Sequence, residues 1–120
     1  MKIVDAGHVY RLDGYDGGEP QTLIFVKREG DGFPFNEGKH GGTNCQEVLR
    51  ALIDRTEYLF RQIPSAETQA AIECMKTALF MFEARAARRH GRHLDFADLH
   101  SAVRLNPCKT CGHIGCDGHN

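Results

Sequence analysis

A proline sets the architecture of the middle of this chain. Val48, Leu49, Leu52, Ile53, Leu59, Phe60 and Ile63 recur at helical spacing, and Pro64 stops the run because it lacks an N–H and clashes with the preceding turn. Asn44 with Glu47 three residues on forms a capping-box pattern at the start. Ser65 can cap a second helix, with Glu67 in its first turn favoured by the helix dipole. That helix is predicted over Ala66 to Arg89, ending at Gly91, and at 1.5 Å per residue is about 36 Å long. The two segments therefore fold back on each other as a helical hairpin.

The second helix is apolar over two stripes. Ile72, Met75, Leu79, Phe82 and Ala86 form one; Ala71, Cys74, Ala78 and Met81 form the other, with Phe80 lying away from the first. A helix apolar on more than one side must be covered on more than one side. Its far side is expected to pack on another subunit, most simply by two-fold symmetry, the alternative being a wide core within one chain. In 120 residues the second option is constrained, since a small domain buries only about two-thirds of its unfolded surface.

The first forty residues read as strands and loops. Val9 to Leu12 and Thr22 to Lys27 are short β-rich runs separated by Asp13-Gly14-Tyr15-Asp16-Gly17-Gly18-Glu19-Pro20, a stretch dense in turn formers. An antiparallel hairpin is expected, with Lys2 to Asp5 as a further strand. Gly30 to Gly42 holds five glycines and a proline, a loop long enough for contact with a ligand or a neighbouring subunit. Asp95, Phe96, Leu99 and Val103 suggest a short third helix, ended by Asn106-Pro107. The predicted class is α+β in a single domain over 1–105: a β-rich part (1–42), a helical hairpin (43–91), a short helix (95–105), then a tail over 106–120.

Charge narrows the function. With 15 Lys plus Arg against 16 Asp plus Glu, the chain has no cationic surplus for binding long nucleic acid. No apolar run has the length of a membrane span, and Met1 to Gly7 lacks the apolar core of a signal peptide, so an intracellular location is expected. Yet Arg85, Arg88, Arg89 and Arg92, with His90 and His93, cluster where the second helix ends. Taking those four arginines away leaves 11 cations against 16 anions. Arg85 and Arg89 are four apart and share a helix face, where two guanidiniums can hold phosphate oxygens bidentately. The competing reading is that cations at a helix C-terminus simply complement its dipole.

Other candidates are more open. Tyr58 can stack on a base or pack in the core. Arg55, one turn earlier, can bind an anion or pair with Glu47 or Asp54. Cys45 sits at a helix start and is a candidate reactive thiol by position, but no His is placed by sequence as its base. No nucleophile, base and orienter assemble, so no catalysis is expected. The tail supplies Cys108, Cys111, Cys116 and His119 at Cys-x2-Cys-x4-Cys-x2-His spacing, with His113 competing for the fourth place. Four such ligands suit a closed, structural zinc site; a metal-free tail is the alternative.

Several of these elements occur together elsewhere. Glu47-Val48-Leu49-x-x-Leu52-Ile53-x-Arg55, Gln62-Ile63-Pro64 and Ala78-Leu79-x-x-x-Glu83-x-Arg85, with the N-terminal Lys2-Ile3-Val4-Asp5-Ala6-Gly7-His8-x-Tyr10, resemble the first-described Thoeris anti-defence family of bacteriophages. The resemblance spans residues 1–92. It implies a sponge that binds cyclic ADP-ribose signals, notably glycocyclic ADP-ribose, and in some members cyclic oligonucleotides of CBASS defence, without cleaving them. It further implies dimers or hexamers with pockets between subunits, in the cytoplasm of the bacterial host. The family's late-helix aromatic and its post-proline Asn fall on Tyr58 and Thr68, the latter a departure in type. Its phosphate-contacting arginine pair falls on Arg85 and Arg89. Nanomolar capture corresponds to about −12 kcal/mol, within reach of paired arginine contacts and base stacking. The runner-up is a small zinc-containing dimeric module that binds DNA or protein through its tail.

Overall fold

The computed structural model describes residues 1–27 and 41–93. The segment predicted as a third helix, the Cys/His tail and most of the glycine-rich stretch lie outside the described residues. The architecture is α+β, an antiparallel sheet followed by two helices, and the chain divides at Cys45/Gln46 into two compact units.

The first unit is a three-stranded antiparallel meander of β1 (Lys2–Asp5), β2 (Val9–Leu12) and β3 (Gln21–Ile24), in the order β1-β2-β3. The third strand is thus shorter than the predicted Thr22–Lys27 run and begins one residue earlier. Ile3 pairs with Tyr10, and Tyr10 with Leu23, so these three share one face. Phe25 meets Tyr10 edge to face, with ring centroids 5.9 Å apart. The β2–β3 connection is closed tightly, since a Cβ on Gly14 would lie 2.0 Å from the Gly18 carbonyl oxygen. Beyond β3, Val26 donates to the Thr43 carbonyl at 2.9 Å and Thr43 donates to the Ile24 carbonyl at 2.8 Å. Gly42 makes that bridge possible: its φ is +151°, and a Cβ there would sit 2.6 Å from the Phe25 carbonyl carbon.

The second unit is the helical hairpin, α1 (Cys45–Gln62) and α2 (Ala66–Arg89). The ends of α2 obey local rules. The Thr68 amide donates to Ser65 Oγ at 3.1 Å, capping the start. At the far end Gly91 has φ +74°, its amide donates to the Arg88 carbonyl and the Arg92 amide donates to the Ala87 carbonyl. That pair of bonds is a Schellman closure, which needs a left-handed residue where Gly91 stands.

Ile53, Leu79 and Phe80 form the buried centre of the hairpin, flanked by Leu49, Met75 and Ala84. Ile72, Ala86 and Ala87 are buried as well. The predicted first stripe is corrected in one respect. Phe82, a member of that stripe by spacing, is 40% exposed, while Phe80, which spacing sets away from the stripe, is 2% exposed. The reason is a pair of charges. Arg50 Nη2 donates to Glu83 Oε1 at 2.7 Å with both residues buried, and this fixes the rotation of α2 with Glu83 inward. Phe80 lies three residues before Glu83 and turns in with it. Seven residues further along α1 and seven back along α2, Lys76 meets Glu57 at 3.3 Å, as an antiparallel pair requires.

Candidate functional site

The residues singled out by sequence fall into two groups at opposite ends of the hairpin. At the turn, Arg55, Tyr58 and Gln62 stand on successive turns at the end of α1. The Arg55 guanidinium lies 5.7 Å from the Tyr58 ring centroid, within range for a cation–π contact. Gln62 Nε2 donates to the Tyr58 hydroxyl at 3.0 Å. Tyr58 remains 46% exposed, so one ring is held by two neighbours with much of its surface open. Arg55 thus has an aromatic neighbour, and of the two carboxylates open to it in sequence Glu47 is engaged by Arg50 at 3.3 Å. Thr68 is half-buried, and its Oγ1 accepts a hydrogen bond from Ser65 Oγ at 2.8 Å. Its position serves the helix cap before anything else.

At the other end Arg85 and Arg89 are both exposed on one face of α2, with exposed Arg88 beside them. Among the described residues no carboxylate pairs with any of the three. Their charge is offset only in part by the helix C-terminus, where carbonyl dipoles favour cations by about 0.3–1 kcal/mol each. Thr68 and Arg85 are separated by seventeen residues of helix, about 26 Å at 1.5 Å per residue. One chain therefore cannot apply both ends of the hairpin to one compact ligand.

The buried Arg50–Glu83 pair, with exposed Glu47 on its outer side, is a feature the sequence reading missed. Glu83 is 1% exposed and Arg50 3%, and Arg50 Nε has no hydrogen-bond partner among the described residues. The signal was present: a Glu four residues after Leu79 on the core face, and an Arg three before Ile53 on the facing helix. Its bearing on the site is positional. With Glu83 turned inward, Arg85, two residues and about 200° further round, is turned out to solvent.

A shallow groove of about 250 Å³ runs along one side of the hairpin, lined by Glu57, Phe60, Arg61, Ile72, Glu73 and Lys76 among others. It holds charges of both signs and none of the residues predicted to bind ligand. Cys45 and Cys74 are free and exposed. Among the described residues no group of three or more His, Cys, Asp or Glu is placed to hold a metal. The predicted ligands Cys108, Cys111, Cys116 and His119 lie outside them. No described helix is long and apolar enough to cross a membrane. Comparison with known protein families, with curated proteins and with solved structures finds no match to this chain.

Proposed function

We propose that the chain is a non-catalytic sponge for small phosphorylated signals. It captures cyclic ADP-ribose-type nucleotides, glycocyclic ADP-ribose foremost, and cyclic oligonucleotides, and releases them chemically unchanged. It acts as a homo-oligomer in the cytoplasm of a phage-infected bacterium, where removing such signals would silence Thoeris and CBASS immunity. The observation that carries this reading is the exposed Arg85–Arg89 pair, four residues apart and without a carboxylate partner among the described residues. Two such forks suit adjacent phosphates of a compact anion, whereas a chain of net charge −1 does not suit a long polyanion.

At the turn, the Arg55–Tyr58 pair offers a ring for stacking on a purine, with a guanidinium already over it. Thr68 contributes a hydroxyl nearby in sequence. No proton transfer or nucleophile enters the function, and the zinc proposed for the tail is structural. The test is capture and release. The protein is incubated with glycocyclic ADP-ribose or a cyclic trinucleotide, freed of unbound ligand by gel filtration and heated, and the released molecule is identified by mass spectrometry. Intact ligand is expected. Replacing both arginines with Ala should weaken retention of the cyclic trinucleotide about a hundredfold or more, since charged hydrogen bonds contribute about 1.5–3 kcal/mol each. Recovery of a hydrolysed product, or retention of neither ligand, would remove the proposal.

A further inference from the structure

The rotation that Glu83 fixes in α2 leaves an aromatic ring partly open beside the arginines. Phe82 is 40% exposed, although Leu79, three residues earlier, is fully buried. At about 100° per residue, Phe82 stands about 60° round from Leu79 and Arg85 about 60° beyond Phe82. Arg89 falls within about 20° of Phe82. Along the axis Arg85 lies about 4.5 Å beyond Phe82, and Arg89 about 10.5 Å. Helical side chains lean toward the N-terminus, so the Arg85 stem leans toward Phe82 and the Arg89 stem toward Arg85. A ring and two guanidiniums therefore follow one another along one exposed edge of the helix.

The surroundings favour a flat, anionic occupant. Ala78, one turn before Phe82 on this face, is small and half-buried, so the ring leans over a neighbour that does not cover it. Leu52 of α1, 47% exposed, stands nearly level with Phe82, in the register that the Arg50–Glu83 and Glu57–Lys76 pairs set. By helical phase Leu52 and Phe82 share one flank of the hairpin, and the Glu57–Lys76 pair lies on the other. Between Ala71 and Arg89 this face of α2 carries no carboxylate. Glu73 is turned by phase to the opposite side, and Glu83 is buried against Arg50.

We propose that Phe82 is the base-stacking platform of the arginine site. A cyclic oligonucleotide held there lays one base on the ring while adjacent phosphates meet Arg85 and Arg89. This rests on the reading of that pair as a phosphate site, and it supplies what the pair alone lacks. Two guanidiniums hold phosphates of any origin, whereas a ring beside them selects phosphates that carry a base. The ring offers no hydrogen-bond donor or acceptor, so it recognises the π face common to every base and not the identity of one.

The experiment uses the full chain, with cyclic triadenylate as the probe. The sequence contains no tryptophan, so Phe82→Trp introduces a single indole that reports on this position alone. Cyclic triadenylate is expected to quench its emission saturably, and the quenching should vanish when Arg85→Ala and Arg89→Ala are added. By calorimetry Phe82→Ala should weaken binding about tenfold or more, and Phe82→Leu nearly as much, since stacking on an aromatic ring contributes about five- to a hundredfold per base. Circular dichroism and sedimentation velocity should match the wild type for each variant. Unchanged affinity in Phe82→Ala, or Phe82→Trp emission unmoved by ligand that calorimetry shows to be bound, would overturn the platform and leave the arginine site standing. So would wild-type affinity in Phe82→Leu, because the position would then supply apolar cover and not stacking. Affinity lost together with a changed sedimentation coefficient would also overturn it, by assigning the ring to the assembly. A wild type that retains glycocyclic ADP-ribose but not cyclic triadenylate would remove the platform and confine the sponge to the Tyr58 end. Retention of neither would remove the sponge reading as well.

Discussion

The hairpin is held by side chains, and the sheet is held mainly by backbone. Every fully buried side chain among the described residues belongs to α1 or α2, and the innermost of them include an ion pair sealed in an apolar layer. In the sheet, Val9, Tyr10, Leu23 and Phe25 are only half-buried, and the strand connections depend on glycines whose missing Cβ lets backbones touch. Three short strands have little apolar surface to seal, so their precision comes from positions where only one residue type fits. Two long helices have surface to spare, and what they need is a device that selects one rotation out of several. The difference teaches where each unit is fragile.

The hairpin should break hardest at Glu83. Glu83→Ala leaves the buried Arg50 guanidinium with only the exposed Glu47 carboxylate, and removing one partner of a buried pair costs about 3–5 kcal/mol. Thermal or urea denaturation should show a loss of that size. The double variant Arg50→Met/Glu83→Leu sharpens the comparison, because replacing both charges with apolar groups is expected to be neutral or stabilising by about 1–4 kcal/mol. A double variant as unstable as the single one would mean that the pair is not what sets the rotation of α2. In the sheet, Gly42→Ala is the counterpart. A methyl group 2.6 Å from the Phe25 carbonyl carbon, at a φ of +151°, must open the Val26–Thr43 bridge or distort it. A cost of about 1–3 kcal/mol is expected, in the range for a strained backbone position. Hydrogen exchange at the Val26 and Thr43 amides should quicken accordingly, and unchanged exchange there would show that the bridge does not depend on Gly42.

The same contrast explains what was legible in the sequence. The bounds of α2 follow from Pro64, Ser65 and Gly91, each acting over one turn, so Ala66–Arg89 could be read directly. The strands likewise follow from short β-rich runs around a turn-forming stretch. What could not be read was which side of a doubly apolar helix faces its neighbour. That choice depends on an Arg50–Glu83 contact thirty-three residues apart, and so Phe80 is buried while Phe82 of the first stripe is exposed. Within the candidate site, Arg85 and Arg89 were visible because i, i+4 spacing is local geometry. Arg55 stays open in sequence between an anion and a carboxylate partner; in the fold Glu47 is engaged by Arg50, and the Tyr58 ring lies one turn away from Arg55. Thr68 entered only through the family resemblance, and its engagement with Ser65 explains why periodicity gave it no distinction.

The smallest effect is expected at Ser65, and it separates the end of the hairpin from its centre. Ser65 Oγ accepts from the Thr68 amide and donates to Thr68 Oγ1, so one oxygen both satisfies a helix N-terminal donor and orients a candidate ligand-binding hydroxyl. Ser65→Ala removes both, at a cost of about 1 kcal/mol, a typical value for loss of a cap. Ser65→Asp restores an acceptor and adds a charge favourable to the dipole, but it cannot donate when ionised. Denaturant titration should therefore place the Asp variant near the wild type and the Ala variant below it. If retention of glycocyclic ADP-ribose falls in both, the donation to Thr68 Oγ1 matters to the ligand. If retention falls only in the Ala variant, it follows the cap, and Thr68 acts through the helix start and not through its hydroxyl. Neither variant should move the midpoint as far as Glu83→Ala, because a cap is partly replaceable by water whereas a buried guanidinium is not.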